Sequence, residues 1–462
     1  MYKVIMRKEE KYLMKIDFAR NIALKIIYEV NAKQAYSNIV LDKYINENRD
    51  KLSNVDINFI SELVYGVITW KLTLEYIIQK YSKTKLKKMS DWVKNILYLG
   101  SYQIIFLDKV PKSAAVNESV NLCKKYNFKS ANLVNAILRK ISKEDYEEIN
   151  NITNSITKVS LKYSMPEWMV KKFFSEYGES KAKEICKNLN LRPNMSVRLN
   201  SLKEKIEIGN KGILEDFRVV TKTKNIIKTK EYEEGYITLQ DEAAGLSSFV
   251  LKPKKGDFVL DACSAPGGKT TYLAELMQDE GKIIAWDIYE ERLKQVSQNA
   301  KRLGISIIET QVNNATILKE EFKNKFDKIL LDVPCLGLGV IRRKPDIKWN
   351  RKEEDIKDIS TIQYEILKTC ANYLKKDGVL VYSTCSMLKE ENELIINKFL
   401  QEENFITVNI EENIPKEFYK ITKNNMVQFL PSEKHDGFFI TMLKRKWKQL
   451  YYDNITLILC LN

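Results

Sequence analysis

The sequence predicts a multidomain protein in which an all-α region and a small α+β region precede a C-terminal α/β region. The chain has 462 residues, more than a single ordinary core accommodates. Apolar residues recur with helical spacing in its first third, whereas short apolar runs alternate with amphipathic helices in its second half. We place the three regions at 16–145, 150–240 and 241–445, and leave a C-terminal extension at 446–462 unassigned.

The first region is predicted to be a bundle of helices. Phe18, Ile22, Ile26 and Val30 recur at every fourth position, which puts them on one helical face. The segments 93–107 and 131–141 have similar spacing, and glycine is rare throughout the region. We therefore expect about five to seven helices packed as a bundle.

The second region has a mixed pattern. Short strand-like runs occur at 195–199 and 236–239, and the stretch 203–230 between them is rich in Lys and Glu. This stretch can belong to a small α+β module or form an exposed surface segment, and the sequence allows both.

The third region alternates strands with helices. Strands are predicted at 258–261, 283–288, 328–333, 379–383 and 437–443, and helices at 269–277, 291–303 and 359–374. Repeated βα units with apolar strands predict a parallel, doubly wound, Rossmann-like sheet. Ligands bind such sheets at the carboxyl ends of the strands, where the most distinctive motifs of the chain fall.

The charge of the chain favours a polyanionic partner. Its net charge is +15 and its pI is about 9.1, and nucleic acid is the most common partner of such a protein. A genome that favours Lys codons would give the same excess. No apolar stretch approaches the roughly 18 residues of a membrane span, and the N-terminus lacks the apolar core of a signal peptide. We expect a cytoplasmic protein with no membrane partner.

Cysteine and histidine usage argues against disulfides and metals. The seven cysteines include no Cys-x-x-Cys pair, which is typical of cytosolic thiols and disfavours a zinc site. The single histidine, His435, precedes Asp-Gly and is expected to be a turn residue, so Ser-His and His-metal chemistry are disfavoured. We expect a monomer without a bound metal.

A glycine-rich turn follows the first predicted strand of the α/β region. This cofactor turn, 261–270, contains Cys263, Ser264, Ala265, Pro266, Gly267, Gly268 and Lys269. Paired glycines let the backbone approach a ligand closely, and the N–H groups of the following helix suit a carboxylate or phosphate. The turn matches neither the dinucleotide-binding pattern nor the P-loop pattern, which disfavours those ligands. The alternative is a turn with a purely structural role.

An acidic residue, Asp287, stands at the end of the next predicted strand. An acid at this place can accept hydrogen bonds from ribose hydroxyls. It can also simply cap the helix that follows. Combined with the cofactor turn, it predicts a nucleoside-containing cofactor with an anionic or zwitterionic tail.

Two cysteines follow strands at the same predicted edge: Cys335 after 328–333 and Cys385 after 379–383. Carbon 5 of cytosine is a poor nucleophile that becomes reactive when a thiolate adds to carbon 6, and a second thiol can help to eliminate the first. Asp332 has the position of an acid that assists this addition near ring nitrogen 3. A lone cysteine can also be a small buried apolar residue, the interpretation we prefer for Cys123, Cys186 and Cys370.

A basic segment follows Cys335 directly. Residues 337–349 carry four cations and one aromatic side chain: Arg342, Arg343, Lys344, Lys348 and Trp349. Phosphate contacts and base stacking by these side chains would suit a single-stranded or splayed RNA. The alternative is a solvated basic loop.

Together these stretches resemble the RNA 5-methylcytosine methyltransferases of the NOL1/NOP2/Sun family. The cofactor turn resembles the family's cofactor loop, and 332–335 and 384–385 resemble its two cysteine motifs. The segment 339–349 is similar to a bacterial branch that acts on small-subunit ribosomal RNA. Further stretches resemble the NusB-like helical domain of that branch and the approach to its catalytic domain, namely 110–118, 132–139, 197–200 and 239–244.

The resemblance implies a class I methyltransferase fold, S-adenosylmethionine as cofactor and a cytosine of 16S ribosomal RNA as substrate. It implies that Cys385 is the nucleophile and that Cys335 promotes product release, an order that the residues alone leave open. It also implies that residues 263–269, Asp287 and Asp332 contact the cofactor or line the active site.

The chain departs from the family pattern at two places. The family has an Asp near the adenine after the third strand, where this chain has Asn313 and Asn314, and either can be the replacement. An Asn carbonyl can still accept a hydrogen bond from the adenine amino group, so weaker binding is expected and not its loss. Leu336 follows Cys335 where the family commonly has Ser, which affects a local contact and not the mechanism.

Two other functions fit part of the sequence. A non-catalytic RNA-binding factor would have the helical domain and the positive charge, but it would not need Asp332, the two cysteines and the cofactor turn. A nicotinamide-dependent dehydrogenase would share the α/β fold, but the absent Gly-x-Gly-x-x-Gly motif and the paired cysteines disfavour it.

Overall fold

The computed structural model describes residues 16–143, 147–220 and 226–446. The chain divides into two compact units. Among the described residues, one unit consists of those up to Arg192 together with Ile341–Glu353, and the other of those in Pro193–Val340 and from Glu354 to Lys446. The three-region division stays a prediction, since the compact units divide its middle region after Arg192. The extension at 446–462 lies outside the described residues, apart from its first residue.

The first unit is helical. Among the described residues, its helices of at least two turns are α1 (Phe18–Lys33), α2 (Ser37–Glu47), α3 (Asn54–Tyr81), α4 (Asp91–Phe106), α5 (Lys112–Tyr126), α6 (Ala131–Ile141), α7 (Ser155–Lys162) and α8 (Glu167–Asn188). The helices α1–α6 share one apolar core, so the predicted bundle is confirmed.

Capping residues and buried apolar faces stabilise these helices. Ser53 and Asp56 form a capping box at the start of α3, where each side chain accepts from the other residue's backbone N–H. Ile22, Ile26 and Val30 of α1 are buried in the bundle core, as predicted. Phe18, the fourth residue placed on this face, is 41% exposed, since it occupies the first position of α1.

The segment 341–353 belongs to the helical unit. Several of its residues are buried, so for these residues the prediction of an RNA-contacting or solvated loop is wrong. Lys348 is buried, and its Nζ donates to the Thr69 carbonyl oxygen (3.1 Å) and to Asn190 Oδ1 (2.6 Å). Trp349 Nε1 donates to a main-chain carbonyl of α3 at 2.7 Å, and the ring packs on the bundle core. Their acceptors come from distant parts of the chain, so the local sequence gave no sign of this burial.

The second unit contains a small antiparallel sheet. Its strands are β1 (Met195–Leu199), β2 (Asn210–Lys211), β3 (Phe217–Val220) and β4 (Ile237–Leu239), in the order β2-β3-β1-β4. Both predicted strands are present. The Lys- and Glu-rich stretch is therefore part of a folded module where it is described, and residues 221–225 lie outside the described part.

A larger sheet follows, whose described strands are β5 (Phe258–Asp261), β6 (Lys282–Asp287), β7 (Ile308–Val312), β8 (Phe326–Asp332), β9 (Leu374–Thr384), β10 (Phe405–Val408), β11 (Lys420–Lys423), β12 (Met426–Phe429) and β13 (Phe438–Arg445). The order is β11-β12-β13-β9-β8-β5-β6-β7, and β10 also pairs with β13. The strands β5–β9 pair in parallel, as predicted, whereas β10–β13 pair antiparallel, so the sheet is mixed. Asn424 and Asn425 both have positive φ and make the tight β11–β12 turn, which only antiparallel strands allow.

Helices cover the parallel part of this sheet. They are α9 (Glu242–Leu251), α10 (Gly268–Leu276), α11 (Glu290–Leu303), α12 (Asp355–Ala371) and α13 (Glu393–Glu402). Neighbouring residues of β5 enter two different apolar clusters, Val259 in one and Leu260 in the other, so both faces of the strand are buried. No helix in the described part of the chain has the length and apolar character needed to cross a bilayer.

Candidate active site

The carboxyl ends of β5, β6, β8 and β9 lie at one edge of the large sheet because these strands are parallel neighbours. Asp261 of β5 pairs with Ala285 of β6 and Leu330 of β8, and Asp332 of β8 pairs with Ser383 of β9. The predicted site residues end or follow these strands and β7, and they are residues 263–269, Asp287, Asn313, Asn314, Asp332, Cys335 and Cys385.

The cofactor turn is held by the neighbouring strand. Ser264 N and Oγ both donate to the Trp286 carbonyl oxygen of β6, at 2.8 and 2.9 Å. Gly267 has a φ of 104°, and a Cβ there would lie 3.0 Å from Val296 Cα, so the position requires glycine. The helix α10 begins at Gly268, and its first backbone N–H groups lie in this turn, where they can bind the carboxylate of a ligand.

Asp261 stabilises the cofactor turn by a hydrogen bond. The residue is buried, and its Oδ2 accepts a hydrogen bond from Thr270 Oγ1 at 2.7 Å. Burial raises the pKa of Asp261 to about 7, although the hydrogen bond from Thr270 opposes that shift. Asp261 therefore ties the end of β5 to the first turn of α10.

Asp287 ends β6 with a side chain that is only 5% exposed. Its Oδ1 accepts from Tyr289 N at 3.0 Å, and its Oδ2 lies 3.0 Å from Arg292 Nη1. The N-cap of α11 is Tyr289, so Asp287 is not the helix cap that the sequence allowed as the alternative. Its carboxylate remains available to accept ribose hydroxyls, since each carboxylate oxygen can accept more than one hydrogen bond.

The two asparagines after β7 differ in their surroundings. Asn313 is buried, and its Nδ2 has no hydrogen-bond partner within the described residues. Asn314 is exposed, and its Oδ1 accepts from Thr316 N (3.0 Å) and from Thr316 Oγ1 (2.8 Å). Asn314 therefore stabilises its own turn, whereas Asn313 retains a buried donor that a ligand can satisfy.

Lys269 and Asp332 form an ion pair at the same edge. Lys269 Nζ donates to Asp332 Oδ2 at 2.7 Å, and Ser383 Oγ donates to Asp332 Oδ1 at 2.9 Å. Burial lowers the pKa of Lys269, but the Asp332 carboxylate and its hydrogen bond outweigh burial, and the net pKa is raised. Lys269 is therefore protonated at neutral pH.

Cys335 and Cys385 are free thiols whose sulfur atoms lie 3.0 Å apart. The hydrogen bond with Cys385, together with burial, raises the pKa of Cys335 well above that of an ordinary thiol. Cys335 therefore stays protonated at neutral pH and can donate its S–H to the Cys385 sulfur. The structure thus brings together the two thiols that the sequence predicted to be neighbours.

The other described cysteines are separate from this pair. Cys123, Cys186 and Cys370 are buried, which fits the predicted role as small apolar residues. Cys263 packs beside an apolar cluster, and burial raises the pKa of its thiol well above the ordinary value, which makes it a poor nucleophile.

Gly339 joins the two cysteine loops. Its N donates to the Cys385 carbonyl oxygen at 2.9 Å, and its own carbonyl oxygen accepts from Gly437 N at 3.0 Å. A Cβ at Gly339 would overlap the Gly437 carbonyl oxygen, so only glycine fits between the two loops. Three further buried residues that hold these loops were not predicted: Gln363, Glu391 and Asn392. Glu391 and Asn392 lie in a polar run directly before α13, which was their signal in the sequence, whereas Gln363 lies within α12 and had no such signal.

Arg198 of β1 connects the small sheet to the cofactor turn. Its buried guanidinium donates to both carboxylate oxygens of Glu275 in α10, at 2.8 and 2.7 Å. It also donates to the Gly268 carbonyl oxygen at 2.7 Å and to Gln240 Oε1. Burial raises the pKa of Glu275, and the charge of Arg198 reduces that increase. A main-chain carbonyl of the cofactor turn is thereby fixed by a residue from another sheet.

Three family models match this chain. Residues 248–444 match the model of 16S rRNA methyltransferase RsmB/F, 18–143 that of the NusB family, and 165–208 the RsmF/B-like ferredoxin-like domain. A Bacillus subtilis protein named probable ribosomal RNA small subunit methyltransferase B is 35% identical over 94% of this chain and 100% of its own length. The Escherichia coli ribosomal RNA small subunit methyltransferase B is 33% identical over 92% and 98%.

Among solved structures, the crystal structure of PH0851 is similar, with a TM-score of 0.77 and 25% identity over 92% of this chain and 99% of that one. The fold, the site and these matches together define an S-adenosylmethionine-dependent methyltransferase of ribosomal RNA. More narrowly, the chain belongs to the ribosomal RNA small subunit methyltransferase B family.

The residues at the strand-end edge fit S-adenosylmethionine. The unsatisfied Asn313 Nδ2 suits an adenine ring nitrogen, the buried Asp287 suits the ribose, and the first N–H groups of α10 suit the carboxylate. When bound, this cofactor supplies a methyl group that a nucleophile can accept. Within the described residues, no cluster of His, Cys, Asp and Glu side chains could hold a metal ion.

Proposed function

We propose that this protein methylates carbon 5 of a cytosine in 16S ribosomal RNA through a covalent bond between Cys385 and carbon 6 of the base. The observation that carries the proposal is the pair of thiols, 3.0 Å apart, beside the Lys269–Asp332 ion pair at the cofactor edge. Relatives named as small-subunit ribosomal RNA methyltransferases support the substrate. We also propose that the protein acts as a monomer without a metal.

The raised pKa of Cys335 supports Cys385 as the attacking sulfur. A protonated Cys335 can donate to a Cys385 thiolate, and the ammonium of Lys269 favours negative charge on that sulfur. The Lys269–Asp332 pair can supply a shared proton to ring nitrogen 3 while the Cys385 thiolate bonds to carbon 6.

Product release follows once carbon 5 carries the methyl group. Carbon 5 loses its proton to water, the electrons of that C–H bond form the double bond between carbons 5 and 6, and the bond between carbon 6 and sulfur breaks to return the Cys385 thiolate. Ring nitrogen 3 returns its proton to the Lys269–Asp332 pair. The S–H of Cys335 then stabilises that thiolate by a hydrogen bond, so the cycle ends with the sulfur pair as it began. Methylation by this route releases one proton per turnover.

We propose that Asn313 contacts the adenine. Asn can accept from the adenine amino group and donate to an adjacent ring nitrogen, a bidentate arrangement that uses the otherwise unsatisfied Nδ2. Asn314 is the weaker candidate because its carbonyl oxygen already accepts from Thr316.

Cysteine variants test the proposal. Incubated with unmodified 16S RNA and S-adenosylmethionine, Cys335→Ala should accumulate an RNA–protein adduct that persists on a denaturing gel, because release is slowed after addition. Cys385→Ala should be inactive and free of adduct, and Cys370→Ala should behave as the wild type. Methylation by Cys385→Ala at the wild-type rate would exclude Cys385 as the nucleophile.

A further inference from the structure

The carboxylate of Glu391 hydrogen bonds to both cysteine loops. Its Oε2 accepts from Leu336 N at 2.9 Å, and its Oε1 accepts from Ser386 Oγ. Leu336 directly follows Cys335, and Ser386 directly follows Cys385. One buried side chain therefore touches the residue after each thiol.

Gln363 of α12 adds a second connection to the Cys335 loop. Its Nε2 donates to the Pro334 carbonyl oxygen at 2.8 Å and to Glu391 Oε2 at 3.0 Å. Pro334 and Leu336, the two neighbours of Cys335, are thus both linked to the Glu391 carboxylate, one directly and one through Gln363.

Asn392 hydrogen bonds to the other loop. Its Oδ1 accepts from Thr384 Oγ1 at 2.7 Å, and its Nδ2 donates to the Ser386 carbonyl oxygen at 3.1 Å. These two partners flank Cys385. Besides the backbone link through Gly339, the side chains of Glu391 and Asn392 therefore both hold the Cys385 loop, whereas Asn392 does not contact the neighbours of Cys335, which hydrogen bond to Glu391 and Gln363.

We propose that Glu391 is a positioning residue that sets the distance between the two thiols, and that its loss displaces Cys335 more than Cys385. The inference rests on the proposed function, in which Cys385 adds to the base and Cys335 promotes release. Displacing Cys335 should therefore slow release more than addition. Loosening Cys385 through Asn392 should instead slow addition.

The chemistry of a carboxylate explains why Glu is required here. Both oxygens of an ionised carboxylate accept hydrogen bonds, and three donors converge on them: Leu336 N, Gln363 Nε2 and Ser386 Oγ. A Gln side chain has nearly the same shape but offers one acceptor oxygen and places an N–H₂ group against the remaining donors. At least one loop then loses its partner, with a buried donor left unsatisfied.

The adduct assay separates the two roles. With 16S RNA and S-adenosylmethionine, Glu391→Gln should lose about 10-fold in turnover, the effect of roughly 1.4 kcal/mol in the slowed step, and should accumulate adduct as Cys335→Ala does. Gln363→Leu should do the same more weakly. Asn392→Ala should lose turnover without adduct. Glu402→Gln, a matched change at a partly exposed position of α13, should leave turnover and adduct at the wild-type level.

A second readout needs no RNA. Diamide accepts two electrons and two protons, so it converts the two thiols to a disulfide while its N=N bond is reduced to a hydrazine. Thiols this close should form the Cys335–Cys385 disulfide rapidly in the wild type, measured by mass spectrometry of digested protein. Glu391→Gln should form it several-fold more slowly, because the sulfur atoms no longer meet, and Glu402→Gln should match the wild type.

The outcomes distinguish the positioning role of Glu391 from the proposed function of the two cysteines. Suppose that Cys335→Ala accumulates adduct, whereas Glu391→Gln accumulates none and forms the disulfide at the wild-type rate. This result would overturn the positioning role of Glu391 and leave the proposed function standing. Absence of adduct in Cys335→Ala, with activity retained in Cys385→Ala, would overturn the proposed function, and slower disulfide formation in Glu391→Gln would still support the positioning role. A general loss of folding would lower turnover equally in Glu391→Gln and Asn392→Ala, without the difference in adduct.

Discussion

The contact between Cys335 and Cys385 determines the protonation of Cys335. The sulfur atoms lie 3.0 Å apart, and the hydrogen bond with Cys385 raises the pKa of Cys335, so Cys335 keeps its proton and can donate it to the neighbouring sulfur. The position of Lys269 beside Asp332 adds a cation on the same side. The raised pKa of Cys335 thus follows from its surroundings.

Asn313 gives a direct prediction about cofactor affinity. Asn313→Ala should raise the Kd for S-adenosylmethionine about 10-fold, the effect of losing roughly one to two hydrogen bonds to the adenine. Asn314→Ala should change the Kd less than about 3-fold, since its side chain serves its own turn. Calorimetric titration of both variants with S-adenosylmethionine measures the two Kd values. A larger increase in Kd for Asn314→Ala than for Asn313→Ala would assign the adenine contact to Asn314.

Much of this site could be predicted from the sequence because its residues sit in short motifs at strand ends. The cofactor turn, Asp287 and both cysteines follow apolar strands, and parallel strands bring such ends to one edge. Glu391 and Arg198 could not be assigned roles in advance, since Glu391 bonds to Leu336 and Arg198 to Glu275, which are 55 and 77 residues away along the chain. The choice between Asn313 and Asn314 likewise depended on burial, which spacing alone does not give.

Among the helices and strands, the contact of β1 with α10 has the clearest energetic consequence. Arg198 and Glu275 are a fully buried ion pair, so the removal of one partner leaves an uncompensated charge. Arg198→Met should lower the free energy of unfolding by about 3–5 kcal/mol. Denaturant unfolding of the second unit measures this loss.

The double variant Arg198→Met, Glu275→Leu separates stability from function. It should recover most of the lost stability, because no buried charge remains unpaired. It should still bind S-adenosylmethionine more weakly, because the Gly268 carbonyl oxygen and Gln240 lose their donor. Wild-type cofactor affinity in the double variant would show that Arg198 does not position the turn.

The buried Lys348 makes the helical unit sensitive to pH. Burial lowers the pKa of Lys348 to about 7, whereas Cys186 nearby stays neutral because burial raises its pKa to about 12. Between the folded pKa near 7 and the unfolded pKa near 10.4, the unfolded chain binds more protons at this site, so stability rises with pH. The penalty is fully present below pH 7 and disappears above the unfolded pKa.

The variant Lys348→Met tests whether Lys348 makes the stability of the protein rise with pH. The free energy of unfolding of the wild type should increase from pH 7 to pH 9 relative to the variant, by up to about 1.4 kcal/mol per pH unit. Urea titrations at both pH values give the difference. Parallel pH profiles for the two proteins would mean that Lys348 is not held in a protonation-sensitive site.

The helices and the parallel strands followed their sequence patterns, but the burial of the segment 341–353 in the helical unit did not. Periodicity predicted the bounds of α6, β1 and β5 because each is defined by local spacing. The segment 341–353 has a basic, solvent-compatible composition, and its burial depends on acceptors in α3 and after α8. The antiparallel strands β10–β12 were not predicted, since short strands of mixed polarity lack a strong periodic signal.

For the chain as a whole, the net charge of +15 predicts salt-dependent binding of RNA. About five phosphate contacts would raise the Kd for a single-stranded 16S RNA fragment on the order of 100-fold between 50 and 200 mM salt. Fluorescence anisotropy with labelled RNA measures this dependence. A Kd that does not change with salt would mean that the excess of lysines has no role in substrate binding.

Methyl transfer to unmodified 16S RNA is the direct test of cytosine methylation through Cys385. The RNA is incubated with the full chain and tritiated S-adenosylmethionine, digested to nucleosides and analysed by chromatography against standards. We expect the label to co-elute with 5-methylcytidine, to arise from one cytosine, and to disappear with Cys385→Ala. Label in any other methylated nucleoside, or undiminished label with Cys385→Ala, would contradict this expectation.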